Sequence, residues 1–146
     1  MTNWLDLAQI VGGVATAVGV ILAVVTAFFA LAQLRISNEI AAQDAYAGLL
    51  RNMVDFPEFS PPAYEVVRSD PTSYARYKRY VAYVFTVCER VLLSAGRGAY
   101  WRETVAYYVC QHVDHVRSVD FRNNHYSHYS LAMRRVLDSI ALRGAQ

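Results

Sequence analysis

The stretch IVGGVATAVGVILAVVTAFFALAQL, residues 10–34, is the strongest structural signal in the chain. It contains no charged residue, and Gln33 and two threonines are its only polar side chains. About 20 helical residues cross the roughly 30 Å hydrocarbon core of a bilayer, so this stretch is long enough to span one. A soluble helix of this length would normally carry a polar face, and this one has none. The stretch therefore predicts a transmembrane helix, with the lipid bilayer as its partner.

A cleaved signal peptide is the competing interpretation, because ALA at 30–32 is similar to a cleavage site. The leader MTNWLD has no Lys or Arg, however, and the apolar stretch is longer than the roughly 7–15 residues of a signal-peptide core. We therefore expect an uncleaved anchor.

The basic residues predict the orientation of this helix. All 14 Lys and Arg residues follow the stretch, beginning with Arg35 and Arg51. Since basic residues that flank a span favour the cytoplasmic side, we expect the N-terminus outside and the rest of the chain in the cytoplasm. Trp4 would lie at the outer interface, where indole rings are favoured. The predicted domains are 1–34, the tail and transmembrane helix, and 35–146, a cytoplasmic helical domain.

Small side chains recur at helical spacing along the stretch. They are Gly12, Thr16, Gly19, Ala23, Ala27 and Ala30. Such a strip lets a second transmembrane helix approach closely, whether it comes from another copy of the chain or from a larger membrane complex. The alternative is that Gly and Ala are simply common in membrane helices.

The rest of the chain has the pattern of an all-α protein. No helix breaker occurs between Arg35 and about Asp55, and DFPEFSPP at 55–62 then ends the first helix because it contains three prolines. After a short segment around AYEVVRS, Asp70-Pro71 is a typical helix start. Helices are predicted over about 71–95, 100–116 and 126–142, separated by GRG at 96–98 and DFRNN at 120–124. The fold class is a transmembrane helix that continues into a small bundle of three to four helices.

Each helix carries an apolar stripe at the 3.6-residue period, which predicts the core. The stripe before the prolines is Tyr46, Leu49, Leu50 and Met53. The next stripe is Tyr77, Tyr80, Val81, Val84, Cys88 and Val91. The last two are Trp101, Val105, Tyr108, Val109 and Val116, and Tyr129, Met133, Val136, Leu137 and Ile140. Cys88 and Cys110 are expected to be reduced and packed as small apolar groups, with a disulfide as the alternative if the orientation is reversed.

All four histidines lie between 112 and 128, and helical His pairs can supply metal ligands. At about 100° per residue, His112 falls within the apolar stripe and His115 near its edge, whereas His128 points away. A metal site would therefore use His112, His115 and His125. The alternative is a packed helix corner, in which His112 is a core residue hydrogen-bonded by a tyrosine or by the backbone. A third interpretation is a pH-responsive cluster.

The run YARYKRY at 74–80 combines tyrosines with Arg76, Lys78 and Arg79. These side chains could bind an anionic ligand such as a nucleotide, or an anionic lipid surface; the alternative is a solvated helix face. The net charge of +2 is too small to indicate nucleic acid as a partner. No phosphate-binding, dinucleotide-binding or nucleophile-elbow motif occurs, so we expect no enzymatic activity and no cofactor.

The layout resembles a loose group of small bacterial single-pass membrane proteins of unknown function. The likeness rests on Gln33 and Arg35 after the span, Pro57-Glu58, and Tyr100-Trp101. It implies the architecture and a bacterial inner membrane, and it brings no activity and no functional residue to this chain.

Three functions are consistent with these patterns. The first is a non-enzymatic accessory or scaffolding subunit of a larger inner-membrane complex, held by helix–helix contacts. The second is a membrane-tethered sensor or effector that oligomerises when it binds a ligand, as in a stress or anti-phage response. The third is a metal-binding protein that uses the cluster from His112 to His128.

Overall fold

The computed structural model describes residues 3–94 and 98–143, and within these ranges the chain is helical without a strand. The predicted all-α class is thereby confirmed. The α-helices are α1 (Trp4–Asp55), α2 (Tyr64–Ser69), α3 (Pro71–Ser94), α4 (Ala99–Cys110), α5 (Val113–Arg117), α6 (Val119–Asn124) and α7 (Leu131–Arg143). A 3₁₀ turn (Tyr126–His128) precedes α7. The chain divides into two compact units, 1–37 and 38–146.

The first unit consists of the N-terminal part of α1. By length and composition, α1 is the one helix in the described part of the chain that could cross a membrane, and its most apolar window is entirely unburied. The two threonines of this part donate their hydroxyl hydrogen bonds to backbone carbonyls one turn earlier, Thr16 to Gly12 and Thr26 to Leu22, both at 2.8 Å. Their polar groups are therefore satisfied within the helix itself.

The second unit is organised around α3, which contacts α2, α4 and α7. Its start follows the prediction: both carboxylate oxygens of Asp70 accept hydrogen bonds from backbone N–H groups, from Thr72 at 3.4 Å and Ser73 at 2.7 Å. Pro71 at the first helical position lacks an N–H that would need a partner. The Ser73 bond, more than any other interaction, lowers the pKa of Asp70. The predicted closing residues Gly96 and Arg97 lie outside the described ranges.

The core of the second unit is formed largely by the predicted apolar stripes. The α3 stripe is fully buried, and so is the stripe of α4 and α5. In the last part of α1, Leu49 is buried while Leu50 is exposed, and Ala42 is an additional core residue. Phe85 and Phe121 also belong to the core. Burying each large apolar side chain contributes about 1.5–3 kcal/mol, which is the main source of stability for this unit.

The region from 100 to 131 differs from the prediction in three places. The helix predicted to begin at about Tyr126 begins only at Leu131, after the 3₁₀ turn over Tyr126–His128. The helix expected over 100–116 is interrupted at Gln111 and His112, where the His112 backbone leaves the helical region with φ −115° and ψ 25°. DFRNN, expected as a turn, lies in helix α6. Ser118 caps that helix, because its Oγ accepts a hydrogen bond from Phe121 N at 3.3 Å.

The two cysteines are both free, and their surroundings differ. Cys88 is buried, and burial raises the pKa of its thiol to about 12, so it stays protonated and unreactive. Cys110 is exposed, which corrects the expectation that both would be packed in the core.

Candidate functional site

His112 is a core residue. Its side chain is 2 % exposed, and Nδ1 lies 3.1 Å from the hydroxyl of Tyr77, which is itself fully buried. Burial, and secondarily the neighbouring His115, lowers the pKa of His112 to about 3, so the ring is neutral at pH 7. The predicted core histidine paired with a tyrosine is thereby confirmed.

His115 is as deeply buried, at 3 % exposure, but its environment is different. Its ring packs against Phe121 at 5.2 Å and Tyr77 at 5.6 Å. Within the described part of the chain its Nδ1 has no hydrogen-bond partner. Burial, followed by the charge of His125, lowers the pKa of His115 to about 4. A buried polar atom without a partner is costly, at about 1–3 kcal/mol, and such an atom is unusual in a folded protein.

The structure does not assemble the predicted metal ligands His112, His115 and His125. Among residues 3–94 and 98–143, no three His, Cys, Asp or Glu side chains are placed to hold a metal ion. The reason is that Tyr77 occupies Nδ1 of His112, while His125 is exposed with the Phe121 ring 6.4 Å away. His128 is also exposed, as its position on the helix predicted.

The second unit has a groove of about 390 Å³ beside α3, which we call the His115 groove. Its apolar lining is Ala75, Val81, Ala82, Phe85, Phe121 and Tyr129. Its polar lining is Lys78, Arg79, His115 and His125. The groove thus combines aromatic walls with cationic side chains, and its volume lies within the range of small-molecule sites.

The charges at the His115 groove are unequally neutralised. Lys78 Nζ lies 3.6 Å from Asp120 Oδ2, and Asp120 also accepts a 2.8 Å hydrogen bond from Asn124. Arg79 is exposed and forms no ion pair with any residue that the structure describes. One positive charge therefore remains in excess among these three charged side chains.

Arg79 also lines a second groove of about 320 Å³, which we call the Tyr80 groove. The other residues that line it are Asn52, Phe56, Arg76, Tyr80 and Tyr83. Two of its polar atoms, Asn52 Oδ1 and the Tyr80 hydroxyl, are buried without a hydrogen-bond partner in the described ranges. Arg76 forms an exposed ion pair with Glu58 at 3.6 Å. The predicted anion-binding residues Arg76, Lys78 and Arg79 are thus divided between two grooves, with Arg79 shared by both.

The predicted strip of small residues lies along the exposed surface of α1. All six positions, Gly12, Thr16, Gly19, Ala23, Ala27 and Ala30, are exposed. A Cβ added at Gly12 or Gly19 would meet no heavy atom within 4 Å. This face is therefore open along the described helix.

The grooves were not predicted from the sequence, although α3 carries a signal for one of them. Ala75, Arg79 and Ala82 recur at helical spacing on one face, and two alanines there leave room beside a cation. Aromatic walls contributed by α6 and by Tyr129 depend on tertiary packing, which the sequence does not reveal.

The chain was also compared with known proteins. No protein-family model matches the chain, and neither a curated protein nor a solved structure is detectably similar to it.

Proposed function

We propose that this chain is a non-enzymatic single-pass membrane protein, anchored by residues 10–34 of α1. The observation that carries the proposal is the exposed apolar surface of that helix. Thirteen large apolar side chains between Ile10 and Leu34 are exposed. Burying each of them contributes about 1.5–3 kcal/mol, or about 20–40 kcal/mol together, and a bilayer provides that burial along the whole helix.

The composition of the helix supports a bilayer over a soluble partner. A core helix of a soluble protein would be largely buried, whereas no residue in the most apolar window of α1 is buried. The hydroxyls of Thr16 and Thr26 bond to the helix backbone, so neither needs water. This satisfies the requirement that polar groups in hydrocarbon find partners internally. The basic residues that follow the helix support an N-terminus outside and a cytoplasmic second unit at a bacterial inner membrane.

Within the membrane, the chain works by association with other helices, as an accessory or scaffolding subunit of a larger complex. The strip from Gly12 to Ala30 is the contact face. Transmembrane helices associate through close packing of small residues, because lipid removes the hydrophobic drive. The open space beside Gly12 and Gly19 is what such a contact requires.

Site-specific photo-cross-linking in intact bacterial membranes tests this association. A photoreactive residue at Gly19 should capture a partner helix, whereas one at Ile21 should not, since Ile21 lies about 200° further round the helix. A Gly19→Leu variant should lose co-purification of the partner in mild detergent, and Ile21→Leu serves as the matched control. Equal capture from both positions would show that the strip is not a contact face.

A second candidate function is a membrane-tethered sensor or effector that oligomerises on ligand binding. The observation that favours it is the pair of grooves that share Arg79. An accessory subunit needs no such concavity, whereas a sensor does. The test is the oligomeric state of the detergent-solubilised chain with and without a groove ligand. A ligand-dependent increase in mass supports the sensor, and an unchanged mass at saturating ligand refutes it.

A further inference from the structure

The His115 groove has the chemical features of a binding site for a specific kind of small molecule. Phe85, Phe121 and Tyr129 form a contiguous aromatic wall, with ring centroids 5.7–6.1 Å apart. Aromatic pairs favour centroid distances of about 4.5–7 Å in edge-to-face or offset arrangements, so an aromatic ligand can pack against Tyr129, the partly exposed ring of the three. This aromatic lining favours a ligand with a rigid aromatic ring over a ligand with a flexible chain.

One of the residues that line the groove has an unpaired polar atom within the described part of the chain. His115 lines the groove and is only 3 % exposed, and its Nδ1 has no hydrogen-bond partner within the described residues. A neutral imidazole nitrogen donates or accepts a single hydrogen bond, depending on the tautomer. A bound molecule with a heteroatom or hydroxyl on its ring would supply the missing partner.

The open side of the groove selects negative charge. Arg79 and Lys78 both line it, and the only carboxylate ion-paired there within the described chain is Asp120 on Lys78. The guanidinium of Arg79 is available for a bidentate contact with a phosphate or carboxylate. Both side chains line the groove, so an anionic group bound there has two cations available as partners.

From these three features we propose that the His115 groove binds a small aromatic anion, a ring system that carries one phosphate or carboxylate. The ring lies against Phe121 and Tyr129, the anionic group lies at Arg79 and Lys78, and a polar atom of the ring pairs with His115. This site does not involve the strip from Gly12 to Ala30. Ligand binding in the groove is the step that the second candidate function, the sensor, requires. If the groove binds no such ligand, the proposed anchoring role of α1 is unaffected.

Binding of 1-naphthyl phosphate to the full chain in lipid nanodiscs, measured by calorimetry against empty nanodiscs, tests the proposal. The expected dissociation constant is on the order of 1 mM or tighter for a ligand of this size. Inorganic phosphate should bind at least tenfold more weakly, because it makes no contact with the aromatic wall. Equal binding of inorganic phosphate, or no saturable binding of the naphthyl compound, would overturn the proposal.

Two variants locate the binding in the groove. Ala82→Trp fills it from an exposed position and should abolish binding, with Ala132→Trp on the exposed face of α7 as its control. Arg79→Gln should weaken binding about fivefold or more, with the exposed Arg90→Gln on the same helix as its control. Both target positions are exposed, so the fold should survive, and near-UV circular dichroism checks this. Wild-type affinity in Ala82→Trp would place the ligand elsewhere and refute the site.

Discussion

At the scale of single residues, His112 and His115 make the stability of the second unit sensitive to acid. Their folded pKa values, about 3 and about 4, lie below the ordinary value of 6.5, chiefly because burial disfavours the charged ring. The unfolded chain therefore binds more protons than the folded chain below pH 6.5. Stability from this source is fully present above pH 6.5 and is lost as the pH falls from there towards 4 and 3.

We accordingly predict that acidification from pH 7.5 to pH 5 destabilises the second unit. Each buried histidine should account for about 2 kcal/mol of this loss, or about 4 kcal/mol together. The measurement is denaturant unfolding of the full chain in mild detergent, followed by near-UV circular dichroism. The exposed variant His128→Gln should keep the same pH dependence, because His128 contributes to neither shift. If that variant abolished it, the buried histidines would not be the cause.

The Tyr77–His112 hydrogen bond provides a second prediction at this scale. Tyr77→Phe removes the hydroxyl but keeps the ring, leaving Nδ1 of His112 buried without a partner. We expect a loss of about 1–3 kcal/mol in the free energy of unfolding. Tyr107→Phe, at an exposed ring, is the control and should be neutral. Equal stability of the two variants would contradict the assigned role of this bond.

At the scale of elements, α3 is the helix that positions the His115 groove. Asp70 fixes the start of this helix. Asp70→Ala removes the acceptor for the N–H groups of Thr72 and Ser73. We expect the melting temperature to fall by a few degrees, since loss of an N-cap destabilises a helix. Asp70→Asn keeps an acceptor and should recover most of the loss, as measured by thermal unfolding. If Asp70→Ala had the melting temperature of the wild type, Pro71 alone would fix the start of α3.

The same elements show what sequence patterns can predict here. The start of α3 and its buried stripe follow from Asp70-Pro71 and from the 3.6-residue period, because these signals are local. The break in the helix at Gln111 could not be predicted, since no Gly or Pro marks it. Contacts distant in sequence accompany it: Gln111 accepts a hydrogen bond from Ser60 at 3.3 Å, and His112 pairs with Tyr77.

The candidate site was less predictable than the fold. The basic residues Lys78 and Arg79 could be identified from the YARYKRY run, but their distribution over two grooves depends on packing. His115 is more deeply buried than a single helix wheel predicts, because the wheel places it at the edge of a stripe. Phe121 and Tyr64 pack against it from two other segments and exclude it from water.

At the scale of the whole molecule, the chain comprises two units with different requirements. The unit over 1–37 exposes apolar side chains, which we propose a bilayer covers, whereas the unit over 38–146 has its own core. The proposed anchoring and the proposed ligand site lie in different units and can be tested separately. Variants in the groove should leave membrane attachment unchanged.

Above all, we propose that residues 10–34 integrate into a membrane. Alkaline carbonate extraction of membranes from bacteria that produce the full chain tests it most directly. Two arginines at mid-span, Leu22→Arg/Val25→Arg, should each cost about 3 kcal/mol at the membrane centre and release a large part of the protein. Val54→Arg, at an exposed position outside the stretch, is the control. We expect the wild-type chain and Val54→Arg to stay in the membrane pellet, and recovery of the wild-type chain in the carbonate supernatant would contradict membrane integration.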